Sequence, residues 1–382
     1  MTSKLEDLIA ELCPNGVEYK ALSEVSDMKR GTTVTKKSVN PGDIPVISGG
    51  REPAYYCDTS NRNGETITVA GSGAGAGFVQ YWDKPIFVCD AFSVKGIDDL
   101  TLTKFLYYVL LSKQETIYAT KKGGGVPHVH ISSIENFEIP VPPLEVQAEI
   151  VQILDTFTEL TAELTAELTA RKKQYEYYRD TLLTFNDNNP LHSLISRYCP
   201  NGVEYKKIGD IATLSRGKVM SKSFINDNSG EYPVYSSQTE NNGQFGAIST
   251  YMFDGKYVTW TTDGANAGTV FYRDGKFSVT NVCGVIDISD CQVDTKYVYY
   301  ALTIHAKNYV SSGMGNAKLM SNVMSKVTIP VPPLEVQLQI VQILDRFDAL
   351  CNDLTQGLPA EIEARRKQYE YYRDQLLTFK RA

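Results

Sequence analysis

The sequence has little of what a secreted or membrane protein needs. Its 382 residues include seven cysteines, an odd number, and no two of them form a Cys-x-x-Cys pair. This argues against a disulfide framework or a structural zinc site and favours a reducing, cytoplasmic location. No run of 18 apolar residues occurs, so no transmembrane helix is expected, and the acidic N-terminal segment does not resemble a signal peptide. Hydrophobic residues make up 42%, which fits a folded protein of two or three domains.

Signatures of catalysis are also missing. The sequence contains no GxxxxGK[ST] nucleotide loop, no GxSxG, no HExxH and no protein-kinase motif. It lacks the Asn-Pro-Pro-aromatic or Asp-Pro-Pro-aromatic tetrapeptide expected of an amino-methyltransferase, because both Pro-Pro pairs are followed by leucine. With only four histidines, few general-base arrangements can be built. These absences predict a chain that is not itself an enzyme and holds no cofactor or metal of its own.

Positive charge is not in excess either. The net charge is −7, which excludes a strongly basic nucleic-acid binder at the level of the whole chain. The acidity is uneven, since residues 140–185 hold four basic and eight acidic residues. The large blocks on either side of this segment are therefore closer to neutral and remain compatible with a polyanionic partner.

What is present is a tandem repeat. CPNGVEYK begins at Cys13 and again at Cys199, and IPVPPLEVQ and KQYEYYRD each occur twice, 190 and 194 residues apart. The offsets of 186, 190 and 194 show that four-residue insertions separate the repeated segments. Between them lie two blocks that resemble each other only faintly. Constant connectors around divergent blocks predict a fixed scaffold that carries two different recognition surfaces.

The repeat divides the chain into four segments. We expect a first domain over residues 1–139, a first helical spacer over 140–186, a second domain over 187–329 and a second spacer over 330–382. The two domains are expected to be similar mixed α/β (α+β) folds in a pseudo-two-fold arrangement. Their strand-like runs are Ile44–Ser48, Thr66–Ala70, Phe78–Trp82, Ile86–Val88, Tyr232–Ser236, Tyr257–Thr261, Thr269–Tyr272 and Val282–Ile288, and one helix is expected in each block, at Leu102–Tyr118 and Lys296–Tyr309.

The spacers are predicted to be long helices. After each Pro-Pro pair, apolar residues recur every three or four positions, as on one face of a helix. About 42 residues would give a rod of roughly 60 Å, and at that length a coiled coil between the two spacers is favoured over an ordinary amphipathic core helix. The repeats TELTAELTAELTA insert four-residue steps that nearly preserve the apolar face. Gly357 and Pro359 predict a kink or restart in the second rod.

Two motifs suggest chemistry that the surrounding sequence does not support. Gly71–Ala76 fits the dinucleotide pattern GxGxxA, but the residues after it alternate like a strand, and the second block has lost the pattern. A tight turn with close backbone approach is the better interpretation. His128 and His130 would share one face of an extended segment, yet no nearby cysteine or carboxylate completes a metal site.

Glycine-rich and polar loops after the strands are the better candidates for binding. Residues 121–128 form a basic, glycine-rich loop, and residues 311–318 occupy the equivalent place in the second block. Such loops let backbone amides approach phosphates and direct Lys, His and Asn side chains to base edges. The alternative is that they are ordinary solvated connections. The candidate DNA-binding residues are Ser48, Arg51, Ser72, Lys121, Lys122, His128, Ser236, Gln238, Thr239, Asn241, Thr262, Asn316 and Lys318.

The order of these features resembles the specificity subunit of type I restriction–modification enzymes. The resemblance rests on the two VPPLEVQ helices, the TAEL repeats, KQYEYYRDxLLTF, and the stretches Tyr232–Gly246 and Thr259–Phe277, and it covers essentially the whole chain. It implies two target-recognition domains, each reading one half of a split, asymmetric DNA target. It also implies that the helices form an antiparallel coiled coil that sets the spacing of the half-sites and docks two methyltransferase subunits.

The same resemblance implies where the missing chemistry resides. Partner methyltransferase subunits would bind S-adenosylmethionine, and motor/nuclease subunits with ATP and Mg would join for cleavage. Two alternatives remain: a self-contained methyltransferase, which the absent motifs oppose, and a tandem ligand-binding or adhesion module with a helical spacer, which the cysteine usage opposes. The helix residues expected at the subunit interface are Leu160, Leu164, Tyr175, Tyr178, Leu350, Leu354, Tyr369 and Tyr372.

Overall fold

The chain folds into two compact units that are each assembled from separate stretches of sequence. A computed structural model describes residues 3–123, 125–311, 316–353 and 355–382. The first unit comprises Met1–Thr165 together with Glu361–Ala382, and the second comprises Ala166–Ala360. Each unit thus combines one strand-rich block with part of both spacers. No helix in the described ranges has the length and hydropathy of a membrane span.

The first unit contains three small sheets packed with helices. Its elements are α1 (Ser3–Leu12), β1 (Glu18–Ala21), α2 (Leu22–Val25), β2 (Ser26–Arg30), β3 (Ile44–Ile47), β4 (Tyr55–Cys57), β5 (Thr66–Ala70), β6 (Val79–Trp82), β7 (Phe87–Val88), β8 (Ala91–Gly96), α3 (Thr103–Ser112), α4 (Gln114–Ala119), β9 (Glu138–Val141) and the beginning of α5 (Leu144–Leu182).

The largest sheet of the first unit is antiparallel and has the strand order β2-β8-β5-β6. A three-stranded sheet has the order β4-β3-β7, and β1 pairs with β9. Strand β5 is buried along its whole length because it lies in the middle of the main sheet. The core joins strands, α3 and the start of α5, and it includes Ile67, Leu106 and Leu154, all fully buried.

The second unit repeats this plan, but a single six-stranded sheet takes the place of the four-stranded and three-stranded sheets, beside a separate pair of strands. Its elements, in chain order from the end of α5, are α6 (His192–Tyr198), β10 (Tyr205–Lys207), α7 (Ile208–Ile211), β11 (Ala212–Arg216), α8 (Lys222–Asp227), β12 (Ser229–Tyr235), β13 (Gln244–Ile248), β14 (Phe253–Thr261), β15 (Val270–Val279), β16 (Cys283–Ile288), α9 (Thr295–His305), α10 (Ser321–Met324), β17 (Thr328–Pro330), α11 (Leu334–Asn352) and the start of α12 (Leu358–Leu376), most of which belongs to the first unit.

One proline accounts for the main difference between the sheets. In the second unit, β15 is ten residues long and joins all six strands in the order β11-β16-β14-β15-β12-β13. In the first unit, the corresponding stretch is divided into β6 and β7, with Pro85 between them. Proline has no N–H to donate to a neighbouring strand, so the single long strand becomes two short ones in separate sheets.

The mixed α/β class and the two similar domains joined by long helices are confirmed. Thr66–Ala70 has the predicted bounds, and the other predicted strands are present with shifted ends. The helix predicted at Leu102–Tyr118 is divided at Lys113 into α3 and α4, and the one predicted at Lys296–Tyr309 is α9 followed by a 3₁₀ turn. Strand β8, near the centre of the main sheet, was missed.

The second spacer is interrupted next to Gly357, as the sequence predicted. Helix α11 ends at Asn352 and α12 begins at Leu358. The backbone of Gly357 lies so close to the preceding helix that a Cβ there would be 2.6 Å from the carbonyl oxygen of Ala349. Glycine fits this turn because it has no Cβ, and the turn separates α11 from α12.

The spacer helices pack with coiled-coil spacing inside each unit. In the first unit the ring of Phe157 stacks on Tyr372 with centroids 5.5 Å apart, and in the second unit Tyr178 stacks on Phe347 at 5.2 Å. These are equivalent positions of the repeat, so both units use the same ring pair. Buried or half-buried positions along α5 alternate in steps of four and three, as in a coiled-coil seam, and they include Phe157, Thr161, Leu164, Leu168, Arg171, Tyr175, Tyr178 and Leu182.

Candidate nucleic-acid interface

Three loops meet at one end of the main sheet in the first unit. Gly49, just after β3, approaches so closely that any side chain there would collide with the backbone of Ser72, just after β5. Ser72 in turn bridges to His128, and the amide of Gly73 donates to the carbonyl of Pro127 at 3.0 Å. The loops that were expected to bind DNA in this unit are therefore neighbours in the fold.

The basic loop is a small hairpin. The amides of Lys122 and His128 each donate to the other's carbonyl, at 3.0 and 2.8 Å. This pairing places Lys122 in an exposed position, whereas the Lys121 ammonium lies 4.0 Å above the ring of Tyr118. Exposed cations on a projecting hairpin are suited to contacting a phosphate backbone.

An open cleft lies beside this hairpin. Its lining includes Arg30, Asp90, His128 and His130. The two imidazole rings are stacked at 6.0 Å, and the Arg30 guanidinium forms no ion pair within the described part of the chain. Ser72 Oγ donates to the carboxylate of Asp90, so this hydroxyl is already used as a donor. The cleft therefore contains an arginine without an ion-pair partner among the described residues, next to a carboxylate that already accepts a hydrogen bond from Ser72.

The second unit brings its own three loops together in the same way. We call residues 236–243 the recognition loop. Its Ser236 amide donates to the carbonyl of Gly243 at 3.1 Å, and Thr239 Oγ1 accepts from the Asn266 amide at 3.3 Å. On the other side, Asp263 bridges to Lys318. Of the loop at 311–318, residues 312–315 lie outside the described ranges.

Not every predicted residue is available to a ligand. Thr262 is fully buried, and its hydroxyl is occupied by Arg216 and Asp263. The Gln238 amide donates to the backbone carbonyl of Gln244, so it closes the recognition loop from within. Ser236 is half-buried and bonds to Thr280 at 2.9 Å, and Ser48 is half-buried too. The candidates with exposed side chains are Arg51, Lys122, Asn241, Asn316 and Lys318.

Sequence reasoning missed an arginine that both domains place at the end of the first strand of the main sheet. Arg30 ends β2 and Arg216 ends β11. The repeat offset of 186 aligns these two positions, so the signal was present. Arg216 lies 3.5 Å from Asp263 and donates to Thr262 at 2.9 Å. Among the described residues, this arginine is therefore paired with a carboxylate in the second domain and forms no ion pair in the first.

Each recognition domain is fixed to its spacer helix by the same charged contact. In the first unit Asp155 accepts from Tyr108 at 2.5 Å and from Lys104 at 2.7 Å. In the second unit Asp345 accepts from Tyr300 at 2.6 Å and pairs with Lys296 at 2.9 Å. Burial, reinforced by these carboxylates, raises the pKa of both tyrosines well above the usual range. Both hydroxyls therefore stay protonated and keep donating.

A buried glutamine makes a second identical connection. Gln147 of α5 accepts from the Leu102 amide at 2.9 Å and donates to the carbonyls of Leu100 and Pro142. Gln337 of α11 repeats this with the Asp294 amide and the carbonyls of Gln292 and Pro332. Both side chains are fully buried. Each domain is therefore joined to the first turns of its helix by the same three hydrogen bonds.

The predicted subunit-interface residues are mostly engaged inside the chain. Tyr175 and Tyr178 pack against the second core, and Tyr369 and Tyr372 against the first. Burial raises the pKa of Tyr369 to about 12. Leu160 and Leu164 are half-buried, Leu350 is 38% exposed beside the buried Cys351, and Leu354 lies outside the described residues.

Two neighbouring tyrosines point outward instead. Tyr177 is 66% exposed and Tyr371 is 62% exposed, although both belong to the repeated KQYEYYRD segment. Helical periodicity explains the difference, because residues two positions from the seam lie about 200° away around the helix. The helical periodicity of the sequence could have identified both as aromatic residues on the polar face of the helix.

Comparison with known proteins identifies the scaffold. A family model described as the type I restriction modification DNA specificity domain matches residues 14–171 and again residues 200–364. The chain belongs to this family. It is a type I specificity subunit with two DNA specificity domains, and such subunits are generally non-catalytic. The family assignment favours DNA recognition over the adhesion-module alternative.

A relative in sequence agrees with this assignment, and solved structures share the fold. The specificity subunit of the type I restriction enzyme MpnII from Mycoplasma pneumoniae is 36% identical over 310 residues, covering 66% of this chain and 92% of the relative. The crystal structure of a type I restriction–modification S subunit from M. genitalium matches with a TM-score of 0.69 at 19% identity, covering 95% of this chain and 97% of that one. A structure from a study of type I R-M complex assembly matches with a TM-score of 0.55 at 16% identity, covering 95% and 98%.

Proposed function

We propose that each unit reads one half of a bipartite, asymmetric DNA target. The observation that carries this proposal is that both units bring the same three loops together on the same strand framework, while the residues exposed on those loops differ. The first unit presents Arg51 and Lys122, and the second presents Asn241, Asn316 and Lys318. Two equivalent sites with different side chains are suited to two different half-sites.

The exposed residues divide into two kinds of contact. Arg51, Lys122 and Lys318 are cations suited to phosphate oxygens, which position the protein without reading sequence. Asn241 and Asn316 carry amides that can bond bidentately to adenine in the major groove. The near-neutral domains are compatible with this role when phosphate contacts are shared across a larger complex.

We further propose that the spacer helices set the distance between the half-sites. The contacts of Asp155 and Gln147 in the first unit, and of Asp345 and Gln337 in the second, fix each domain to its helix. A change in helix length would then be transmitted to the attached domain instead of being absorbed at a flexible joint.

Catalysis and cofactor binding are assigned to partners. Two methyltransferase subunits would bring S-adenosylmethionine, and motor/nuclease subunits would bring ATP and Mg. The exposed tyrosines Tyr177 and Tyr371 are the aromatic anchors that such subunits would cover, because exposed tyrosine is enriched at protein interfaces. Both lie at the same position of the repeated octapeptide KQYEYYRD, which fits two copies of one partner.

Exchange of one domain tests the division of the target. Residues 20–139 are replaced by the corresponding block of another family member, and the methylated motif is mapped genome-wide in cells that also carry the methyltransferase subunits. We expect one half-site to change and the other to stay the same. A change in both half-sites would contradict the proposal. A methylated motif of the unmodified complex that is not divided into two half-sites would also contradict it.

Removal of the exposed tyrosines tests the docking surface. Tyr177→Ala and Tyr371→Ala should each weaken binding of one methyltransferase subunit by about tenfold or more, because buried tyrosine anchors dominate interfaces. Tyr205→Ala serves as the control, since Tyr205 is 58% exposed on β10, outside the spacers. The dissociation constant is measured by analytical ultracentrifugation over a range of methyltransferase concentrations. An unchanged dissociation constant in the double variant would place the docking surface elsewhere.

A further inference from the structure

A buried arginine lies beneath the recognition loop of the second unit. Arg273, in β15, is only 3% exposed. Among the described residues it forms no ion pair with a carboxylate, and its Nη1 has no hydrogen-bond partner. Burial of an unpaired charge is strongly unfavourable. Desolvation lowers the pKa of this guanidinium accordingly. Two hydrogen bonds and the nearby rings of Tyr235 and Phe271 offset part of this cost. A buried charge without a counter-ion points to a role besides packing.

The contacts of Arg273 hold the recognition loop at both of its ends. Its guanidinium lies 3.5 Å from the ring centroid of Tyr235, the last residue of β12 before the loop. Its Nη2 donates to the carbonyl of Asn242, near the end of the loop, at 2.8 Å. Its Nε donates to Thr259 Oγ1 at 3.1 Å, which fixes the side chain to the neighbouring strand.

The loop needs such a support because its backbone is strained. Asn241 has φ 48° and Asn242 has φ 52°, both in the left-handed region that non-glycine residues rarely adopt. Asn241 is exposed at this turn. A tether at Asn242 therefore decides the direction in which the adjacent Asn241 amide is presented.

The first unit provides an internal comparison. Trp82 occupies the equivalent position in β6, and its Nε1 donates to Thr68 at 2.9 Å, just as Arg273 donates to Thr259. A neutral side chain thus makes the same strand contact in the same framework. The bond to threonine is common to both units, whereas the positive charge at this position is found only in the second.

We propose that Arg273 is a positioning residue that sets the conformation of the recognition loop and so determines base discrimination by the second domain. This inference rests on the proposed function of that domain. Because Arg273 is buried, it touches no phosphate, and its loss should alter which bases are accepted without altering the electrostatic part of binding.

Two variants test the proposal in the assembled methyltransferase complex. Arg273→Trp imports the residue of the first unit, keeping the threonine contact and removing the tether to Asn242. Arg273→Lys keeps the charge but cannot reach Thr259 and Asn242 together. Each complex is mapped for its methylated motif and titrated with matched and singly mismatched DNA over a range of salt concentrations. The half-site that survives exchange of the first domain is the one read by the second.

We expect Arg273→Trp to lower discrimination at one or two base pairs of that half-site by about tenfold. Arg273→Lys should give a smaller loss, and the other half-site and the salt slope should be unchanged. Wild-type discrimination in both variants would overturn the proposal, and so would a uniform loss of affinity with a reduced salt slope. If the Arg273→Trp variant does not fold, the proposal is tested with Arg273→Lys alone, and wild-type discrimination in that variant would overturn it. A parent complex that reads no second half-site would contradict the proposed function itself.

Discussion

Single residues decide how the two domains differ on a shared framework. Ser72 and Asp263 are equivalent, yet Ser72 bonds to Asp90 and Asp263 neutralises Arg216. The arginine equivalent to Arg216 is Arg30, which stays open to the cleft of the first unit. Each unit therefore places one carboxylate near this arginine, Asp90 in the first and Asp263 in the second, but only Asp263 forms an ion pair with it among the described residues.

The hairpin lysine of the first unit gives a test of phosphate contact. Lys122→Ala should weaken binding to all DNA sequences and reduce the slope of log K against log salt by about one, because one counterion-releasing contact is lost. Lys95→Ala is the matched control, since Lys95 is exposed at the opposite end of β8. Binding is measured by a salt titration. An unchanged slope for Lys122→Ala would remove this hairpin from the DNA face.

The loops predicted from the sequence are brought together by the fold, but several of the side chains predicted within them are not available on the surface. Gln238 was a candidate because it is polar and follows a strand, yet its amide is used to close the recognition loop. Thr262 was a candidate too, and it is fully buried. Both outcomes depend on contacts across a folded loop, which no local sequence pattern encodes. Asn241, by contrast, is exposed as expected.

At the scale of elements, the glutamine of the repeated segment VPPLEVQ has the same structural role in both copies. Gln337→Leu should lower the free energy of unfolding of the second unit by about 2–4 kcal/mol, because a buried amide and two buried carbonyls lose their partner. Gln342→Leu, on an exposed position of the same helix, should change it by no more than about 0.5 kcal/mol. Denaturant unfolding of both variants is the measurement. Equal stability would show that the glutamine bonds are dispensable.

Element prediction succeeded where the local signal was strong. Thr66–Ala70 is a run of β-branched residues bounded by turns, and its bounds were predicted correctly. Strand β8 was missed because AFSVKG includes serine, lysine and glycine and lacks clear alternation. It is nonetheless buried except at Lys95, and its place between β2 and β5 is set by tertiary pairing. The interruption of the second spacer was predicted because Gly357 itself interrupts the helical pattern of the sequence.

At the scale of the whole molecule, the sequence repeat reveals two similar domains but not how the units are assembled. Each compact unit takes one strand-rich block and parts of both spacers, so its boundaries fall at Thr165 and Glu361, inside long helices. Periodicity predicts a helix across such a point, and only tertiary contacts show where one unit ends. The stacked pairs Phe157–Tyr372 and Tyr178–Phe347 are those contacts.

The central claim is that the spacer helices act as a ruler between two independent readers. Deletion of Thr165–Leu168 removes one TAEL step from α5, which shortens the helix by ~6 Å with a residual rotation of ~40°. One base pair is ~3.4 Å of duplex. The account therefore predicts that the methylated motif of the deletion variant, mapped genome-wide, keeps both half-sites and has a gap shorter by one or two base pairs. An active variant with the parental gap, or with an altered half-site, would contradict it.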